Sequence, residues 1–240
     1  MLNNKRILSV ILARKNSKGL PDKNIKSFGG HPLLSWPINA SLNSKYIDTT
    51  VLSTDSKDYA TIGESYGALT PFLRPDSLAN DESISSDAII HAIDFFHSKK
   101  DMYDYVILLE PTSPLTETID IDLAIEKLLS NKDNLSSLVS ISEIGSSHPS
   151  YCFKVNDKSL ITPIDQNTIN TGMSRRQDLD KLYFCDGSLY ISEINDLIQH
   201  RSFYHKKTMG FIVPVWKSYE IDTELDFFLV EQIYNKYINK

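Results

Sequence analysis

The chain has 240 residues, 41% hydrophobic and 23% charged. That is enough apolar material for one large α/β domain with a sizeable core, and it excludes an intrinsically disordered chain. A formal net charge of -6 argues against a nucleic-acid or anionic-membrane binder, since those carry a basic excess, so any basic chemistry here has to be local.

From the start, Met1 to Arg6 is polar and basic, and the apolar run after it is only strand length. Neither a signal peptide nor a membrane span follows from it. Ile7 to Ala13 is rich in β-branched residues, which predicts a buried parallel strand. A polar, basic loop follows, Arg14 to Lys26, and then a helix over Leu33 to Leu42, with Pro32 and Pro37 tolerable near its first turn. Thr49 to Ser53 is the next strand, with Asp55 as the expected cap of a helix through Ala60 to Tyr66. Ala88, Ile89, Ala92, Ile93 and Phe96 fall at helical spacing within Ser85 to Lys99. Tyr105 to Leu109 is a second buried strand, punctuated afterwards by Pro111 and Pro114; Ile119 to Leu129 is helical and Leu135 to Ile141 extended.

This alternation predicts a mostly parallel, doubly wound sheet. Such sheets bind ligands outside the carboxyl ends of their strands. Arg14 to Lys26, Ser53 to Asp55 and Glu110 to Pro114 should therefore surround one crevice. From Gly145 to Asp186 short strand-like pieces, Tyr151 to Val155 among them, alternate with polar loops, and the segment lacks an apolar face of its own. It reads as a protruding dimerisation lobe on a single domain spanning 1–240, with Tyr151, Phe153 and Leu182 as interface candidates. Leu189 to Ser192 and Gly210 to Val215 resume the strand pattern, and Asp222 to Ile238 closes the fold as a helix. Cys152 and Cys185 lack zinc-site spacing and read as reduced thiols in a cytoplasmic protein.

The most informative stretch is Arg14-Lys15-Asn16-Ser17-Lys18-Gly19-Leu20-Pro21-Asp22-Lys23-Asn24. It is no Walker A sequence. Yet it sets four cations, a glycine and several amide or hydroxyl donors directly after a buried strand, the combination a triphosphate needs. With its flanks, Ile11 to Ile25, it resembles the signature of the acylneuraminate cytidylyltransferases, the CMP-sialic acid synthetase family. Further strings match in order: Leu52-Ser53-Thr54-Asp55, Leu73-Arg74-Pro75, Leu108 to Leu115 around Pro111-Thr112-Ser113-Pro114, Arg176-Gln177, Asp186 to Ile191, and Ile221 to Asp226.

The resemblance implies a nucleotide-diphospho-sugar transferase-like fold and a reaction in which CTP and a free acidic 2-keto-3-deoxy sugar give the CMP-sugar and pyrophosphate. Arg14, Ser17, Lys18, Asn24, Arg74 and Ser85 would contact the nucleotide, with Lys18 and Arg14 catalytic. Neutralising charge that develops on the triphosphate oxygens is a role both cations suit. Ser85 equally suits a helix N-cap. Glu220 and Asp222, at alternating positions of an extended stretch, would share a Mg²⁺ or Mn²⁺ ion with the triphosphate. The family pattern there resembles Asp-x-Asp, so Glu220 departs from it, and Asp222 also suits the N-cap of the last helix.

Glu110, Arg176, Asp186 and Tyr190 would face the sugar, and the resemblance sets residues such as His148, Tyr151 and Lys154 near the sugar of a neighbouring subunit. Family members typically carry Gln at the position of Glu110 and Asn at that of Asp186, and often Arg where Phe184 stands. Two amides have become acids, which points to a sugar other than N-acetylneuraminate, such as a legionaminic or pseudaminic acid. The motifs favour nine-carbon acids over the eight-carbon acid Kdo. The other alternative is a non-catalytic nucleotide-binding module, which would be expected to lose Lys18, Arg14 or Asp222.

Overall fold

The computed structural model describes residues 4–15, 17–164 and 175–239. The first predicted strand forms as β1 (Ile7–Leu12), and the next two as β4 (Thr49–Ser53) and β5 (Tyr105–Leu109). All three are almost wholly buried and pair in parallel, β1 in the middle. Buried on both faces, such strands read as continuous apolar runs rather than alternating ones. The short hairpin between β1 and β4 is β2 (Ser27–Phe28) with β3 (His31–Pro32). Next come β6 (Ser137–Glu143), the hairpin of β7 (Phe153–Val155) with β8 (Ile161–Pro163), β9 (Tyr183–Glu193) and β10 (Thr208–Ile212). The main sheet has six strands in the order β10-β6-β9-β5-β1-β4. Every pairing in it is parallel except those of β9, which runs antiparallel between β5 and β6.

Helices cover both faces. On one side α1 (Ser35–Leu42) and α4 (Thr118–Leu129) bring Ile38, Ile121, Ile125 and Leu128 against Ile7, Ile11 and Leu52. On the other, α3 (Ser85–Ser98) lays Ile89, Ala92, Ile93 and Phe96 on Leu8, Val10 and Val106. Neighbours in β1 thus serve opposite layers, as the pleat requires. Removing one such Ile or Leu side chain to Ala costs about 2–5 kcal/mol. A third cluster matters more for the site. In it α6 (Glu224–Tyr237) packs Phe227, Val230 and Tyr234 on Leu20, Phe28, Leu33, Leu115 and Ile221. The basic loop and the acidic stretch before α6 therefore share one apolar foundation.

Several local expectations change. The helix after β4, α2 (Lys57–Ser65), is capped by Ser56, whose Oγ accepts from Tyr59 N; Asp55 instead accepts from the amide of Lys15 at 2.9 Å. Ile84 rather than Ser85 occupies the N-cap of α3. Thr223, not Asp222, caps α6, in a reciprocal box with Asp226. Asp226 is thereby committed to the helix start. The strand foreseen as Leu189 to Ser192 is eleven residues long, and it leads into a short helix, α5 (Ile194–His200), that the pattern did not reveal. Within the segment 145–186, β7 and β8 form a two-stranded sheet of their own, with Val155, Leu160 and Ile161 exposed.

Candidate active site

Three loops leave the carboxyl ends of β1, β4 and β5 and meet the stretch before α6. Ala13 N donates to Ser53 O at 3.1 Å and Arg74 N to Thr54 O at 2.8 Å. Ile221 N donates to Thr112 O at 2.8 Å, which ties the acidic stretch to the loop after β5. Gly19 lies so close to this stretch that a Cβ there would stand 2.5 Å from the carbonyl oxygen of Asp222. Only glycine allows that approach of two backbones.

The result is a cleft of about 430 Å³. Arg14, Ser17, Lys18, Asn24, Arg74, Ser85, Glu110 and Asp222, all singled out in the sequence, line it together. Asn24 is buried and donates from Nδ2 to the carbonyl of Arg14 at 3.0 Å, so its side chain braces the basic loop from behind. Arg74 is 5% exposed, and its Nε and Nη2 have no partner among the described residues. Burial pulls its pKa below the usual value, opposed by Asp55 and Glu110. A buried guanidinium with unpaired donors in a cleft wall calls for an anion or carbonyl from outside the chain.

Residues beyond the predicted set complete the electrostatics. Asp81 pairs with Arg14 at 2.8 Å and with Lys18 at 2.6 Å, and those two cations hold its carboxyl below the usual range. Lys23, nearly buried, pairs with Asp222 at 2.8 Å. Lys23 belonged to the basic run without a separate role, and Asp81 carries no local signal beyond its place in a polar loop ahead of α3.

Glu220 lies behind the cleft. Burial, with Asp222 and Asp186 behind it, pushes its carboxyl up to about 7. Glu110 is likewise pushed up to about 7, by burial first and then by Glu220, against the pull of Arg74 and Lys23. Glu220 rests on Gly187, whose φ is +76°. Asp186 is 2% exposed on β9, where the register slips opposite Ser140. Its Oδ1 accepts from Ser140 Oγ, and from Ser188 N at 3.0 Å; its Oδ2 is buried without a partner among the described residues. The structure thus sets Asp186 beside Glu220 rather than in the cleft wall. Arg176 starts a single 3-10 turn, Arg176–Asp178, and its side chain lies outside the described residues.

Glu110 also lines a second cavity of about 230 Å³, on the sheet face beneath the start of α3. Tyr190, in register with Leu108, lines it too, with Phe203 and Tyr204 beside it. The two cavities share Ile84, Ser85 and Glu110 and so adjoin along that wall.

Among the described residues, no group of three or more His, Cys, Asp or Glu converges to hold a metal ion by protein donors alone. Two carboxylates, Asp222 and Glu220, do repel each other here. That donor set suits Mg²⁺, which is commonly held by one or two carboxylates completed by phosphate oxygens and water. No helix among the described residues is long and apolar enough to cross a membrane.

Comparison with known proteins identifies the family. The family model described as cytidylyltransferase matches residues 8–233. A CMP-N,N'-diacetyllegionaminic acid synthase of Legionella pneumophila is 35% identical, over 95% of this chain and 96% of its own. A pseudaminic acid cytidylyltransferase of Campylobacter jejuni is 30% identical, over 95% of both chains. The solved structure of a CMP:2-keto-3-deoxy-manno-octonic acid synthetase complexed with CTP superposes with a TM-score of 0.71 at 15% identity, covering 97% of this chain and all of that one. The family match over residues 8–233, the relatives at 30–35% identity and the shared fold lead to one conclusion: the chain belongs to the cytidylyltransferase family, whose members are nucleotidyltransferases.

Proposed function

We propose that the protein transfers CMP from CTP to the anomeric hydroxyl of a free nonulosonic acid and releases pyrophosphate. The observation that carries this reading is the paired cavity. One half is walled by Arg14, Lys18 and the unpartnered donors of Arg74, and it shares Glu110 with the other half, which is lined by Tyr190. A triphosphate in the first and a sugar acid in the second would bring the sugar hydroxyl to the α-phosphorus.

Arg14 and Lys18 neutralise charge as it moves onto the leaving pyrophosphate. Asn24 fixes the loop that carries them, and Arg74 offers its free donors to an oxygen of the nucleotide. Asp222, with Glu220, would hold Mg²⁺, which when bound adds charge stabilisation at the phosphate oxygens. No covalent enzyme intermediate is required.

Within the nonulosonic acids, a diamino sugar of the legionaminic or pseudaminic type fits best. When ionised, Glu110 accepts hydrogen bonds from amide or hydroxyl groups and donates none. A homodimer completes the reading, because the β7–β8 hairpin leaves Val155, Leu160 and Ile161 exposed. The free thiols of Cys152 and Cys185 fit a cytoplasmic setting. The test is direct: incubate the protein with CTP, Mg²⁺ and a panel of nonulosonic acids, and measure CMP-sugar and pyrophosphate together. Turnover with CTP over UTP, lost in EDTA, is expected. Equal turnover with UTP, or full activity in EDTA, overturns it.

A further inference from the structure

The second cavity holds one cation that neither the sequence pattern nor the family match assigns. Arg201 ends α5 and sits in the left-handed region, with φ +50°; its amide donates to Leu197 O at 2.7 Å. That backbone turn swings the side chain to the cavity wall, beside Ser85 and Tyr204. One nitrogen, Nη2, donates to Asp87 Oδ1 in the first turn of α3. Among the described residues the other guanidinium nitrogens have no hydrogen-bond partner, and the side chain is 61% exposed. Of the residues lining this cavity, Arg201 is the sole cation and Glu110 the sole anion.

Taking the proposed function as given, we propose that Arg201 is a specificity-determining residue that donates to an oxygen of the acceptor sugar acid, its carboxylate or an N-acyl carbonyl. The chemistry fits on both sides. A guanidinium carries five donors in a rigid fork, and Asp87 occupies one end of it. The pairing with Asp87 fixes the fork's orientation, so little freedom is lost when the acceptor binds. The acceptor is an anion entering a cavity whose other charged group is Glu110, and a cation opposite that carboxylate offsets the repulsion.

The backbone conformation supplies a clean test. Arg201→Gly removes the side chain while favouring the left-handed turn, so the fold is retained. The lost ion pair with Asp87 is largely exposed and contributes little. Arg201→Gly should raise the acceptor KM roughly tenfold or more, the loss typical of a charge-assisted hydrogen bond, and leave the KM for CTP unchanged. Asp87→Asn removes the charge of the same ion pair but keeps an oxygen that can accept from Nη2, so the guanidinium stays in place and oriented and the acceptor KM should stay close to wild type.

Two acids that share the carboxylate but differ in N-acylation separate the sources. An equal loss on both assigns the carboxylate; unequal losses assign the acyl carbonyl. An unchanged acceptor KM in Arg201→Gly overturns the inference, and so does an identical effect from Asp87→Asn, which would make Arg201 only a staple between α5 and α3. Wild-type protein that transfers CMP to no nonulosonic acid defeats the functional reading instead, and is seen before any variant is made.

Discussion

Gly187→Ala probes the acidic side of the site without touching a carboxylate. Gly187 has φ +76°, and an added Cβ would fall inside the van der Waals shell of Glu220 Oε1. Two costs follow. The first is backbone strain: a side chain in the left-handed region costs about 1–2 kcal/mol. For a chain of this size each kcal/mol lowers Tm by about 2–4 °C, so a fall of roughly 2–8 °C is expected. The second cost falls on Glu220. Its carboxylate has to retreat on the order of 2 Å to restore ordinary contact distance. Mg²⁺ holds its ligands at about 2.0–2.1 Å with little tolerance. If Glu220 holds the ion as proposed, a carboxylate displaced that far would no longer reach it. The Mg²⁺ concentration giving half-maximal CMP transfer should rise about tenfold or more, the scale of effect seen when ligand positioning is lost. The assay is a Mg²⁺ titration of pyrophosphate release at saturating CTP and sugar, run beside a thermal melt. If Tm falls as expected but the Mg²⁺ titration superposes on that of wild type, Glu220 does not hold the ion and the reasoning fails.

Lys18→Ala should lower kcat by the equivalent of about 3–4 kcal/mol, the usual loss of one charge-stabilising donor. Its Tm should hardly move, because the pair with Asp81 is exposed to solvent and contributes little; near-native kcat in the folded variant would make Lys18 a solvated loop residue. Glu110→Gln restores an amide donor at the junction of the two cavities. It should shift the ratio of kcat/KM for legionaminic acid over N-acetylneuraminate roughly tenfold towards N-acetylneuraminate. A wild-type preference for N-acetylneuraminate, unmoved by the substitution, would refute this role. Light scattering should give twice the mass of one 27.2 kDa chain. A single-chain mass with full activity at the same concentration would dismiss the dimer.

Much of the nucleotide side was legible because it is local. Ile7 to Leu12 is a continuous apolar run, and the cations of Arg14 to Lys23 follow it in one stretch, so strand and loop announce themselves together. The sugar side was not. β9 looked like four residues because Asp186-Gly187-Ser188 interrupts its apolar pattern. The strand survives them by slipping register opposite Ser140, whose hydroxyl bonds to Asp186 and accepts from the amide of Leu189. Its antiparallel direction depends on where it is inserted, which no period encodes. Asp55 and Asp222 illustrate a second limit. Both are good capping residues one position before the true cap, and tertiary partners decided the matter: Lys15 takes Asp55, and Lys23 takes Asp222. Asp81 and Arg201 act through partners far away in the chain, Arg14 and Lys18 for one and Asp87 for the other.

The bridge that Asp81 makes gives Arg14 and Lys18 a counter-ion from within the chain. Entry of a triphosphate is then an ion exchange, with a bound carboxylate traded for phosphate oxygens. The displaced anion stays tethered, at an effective concentration of order millimolar whatever the solution contains. When pyrophosphate leaves, the same carboxylate is at hand to take its place, so the cations pass from one partner to the next without having to recruit an ion from solvent.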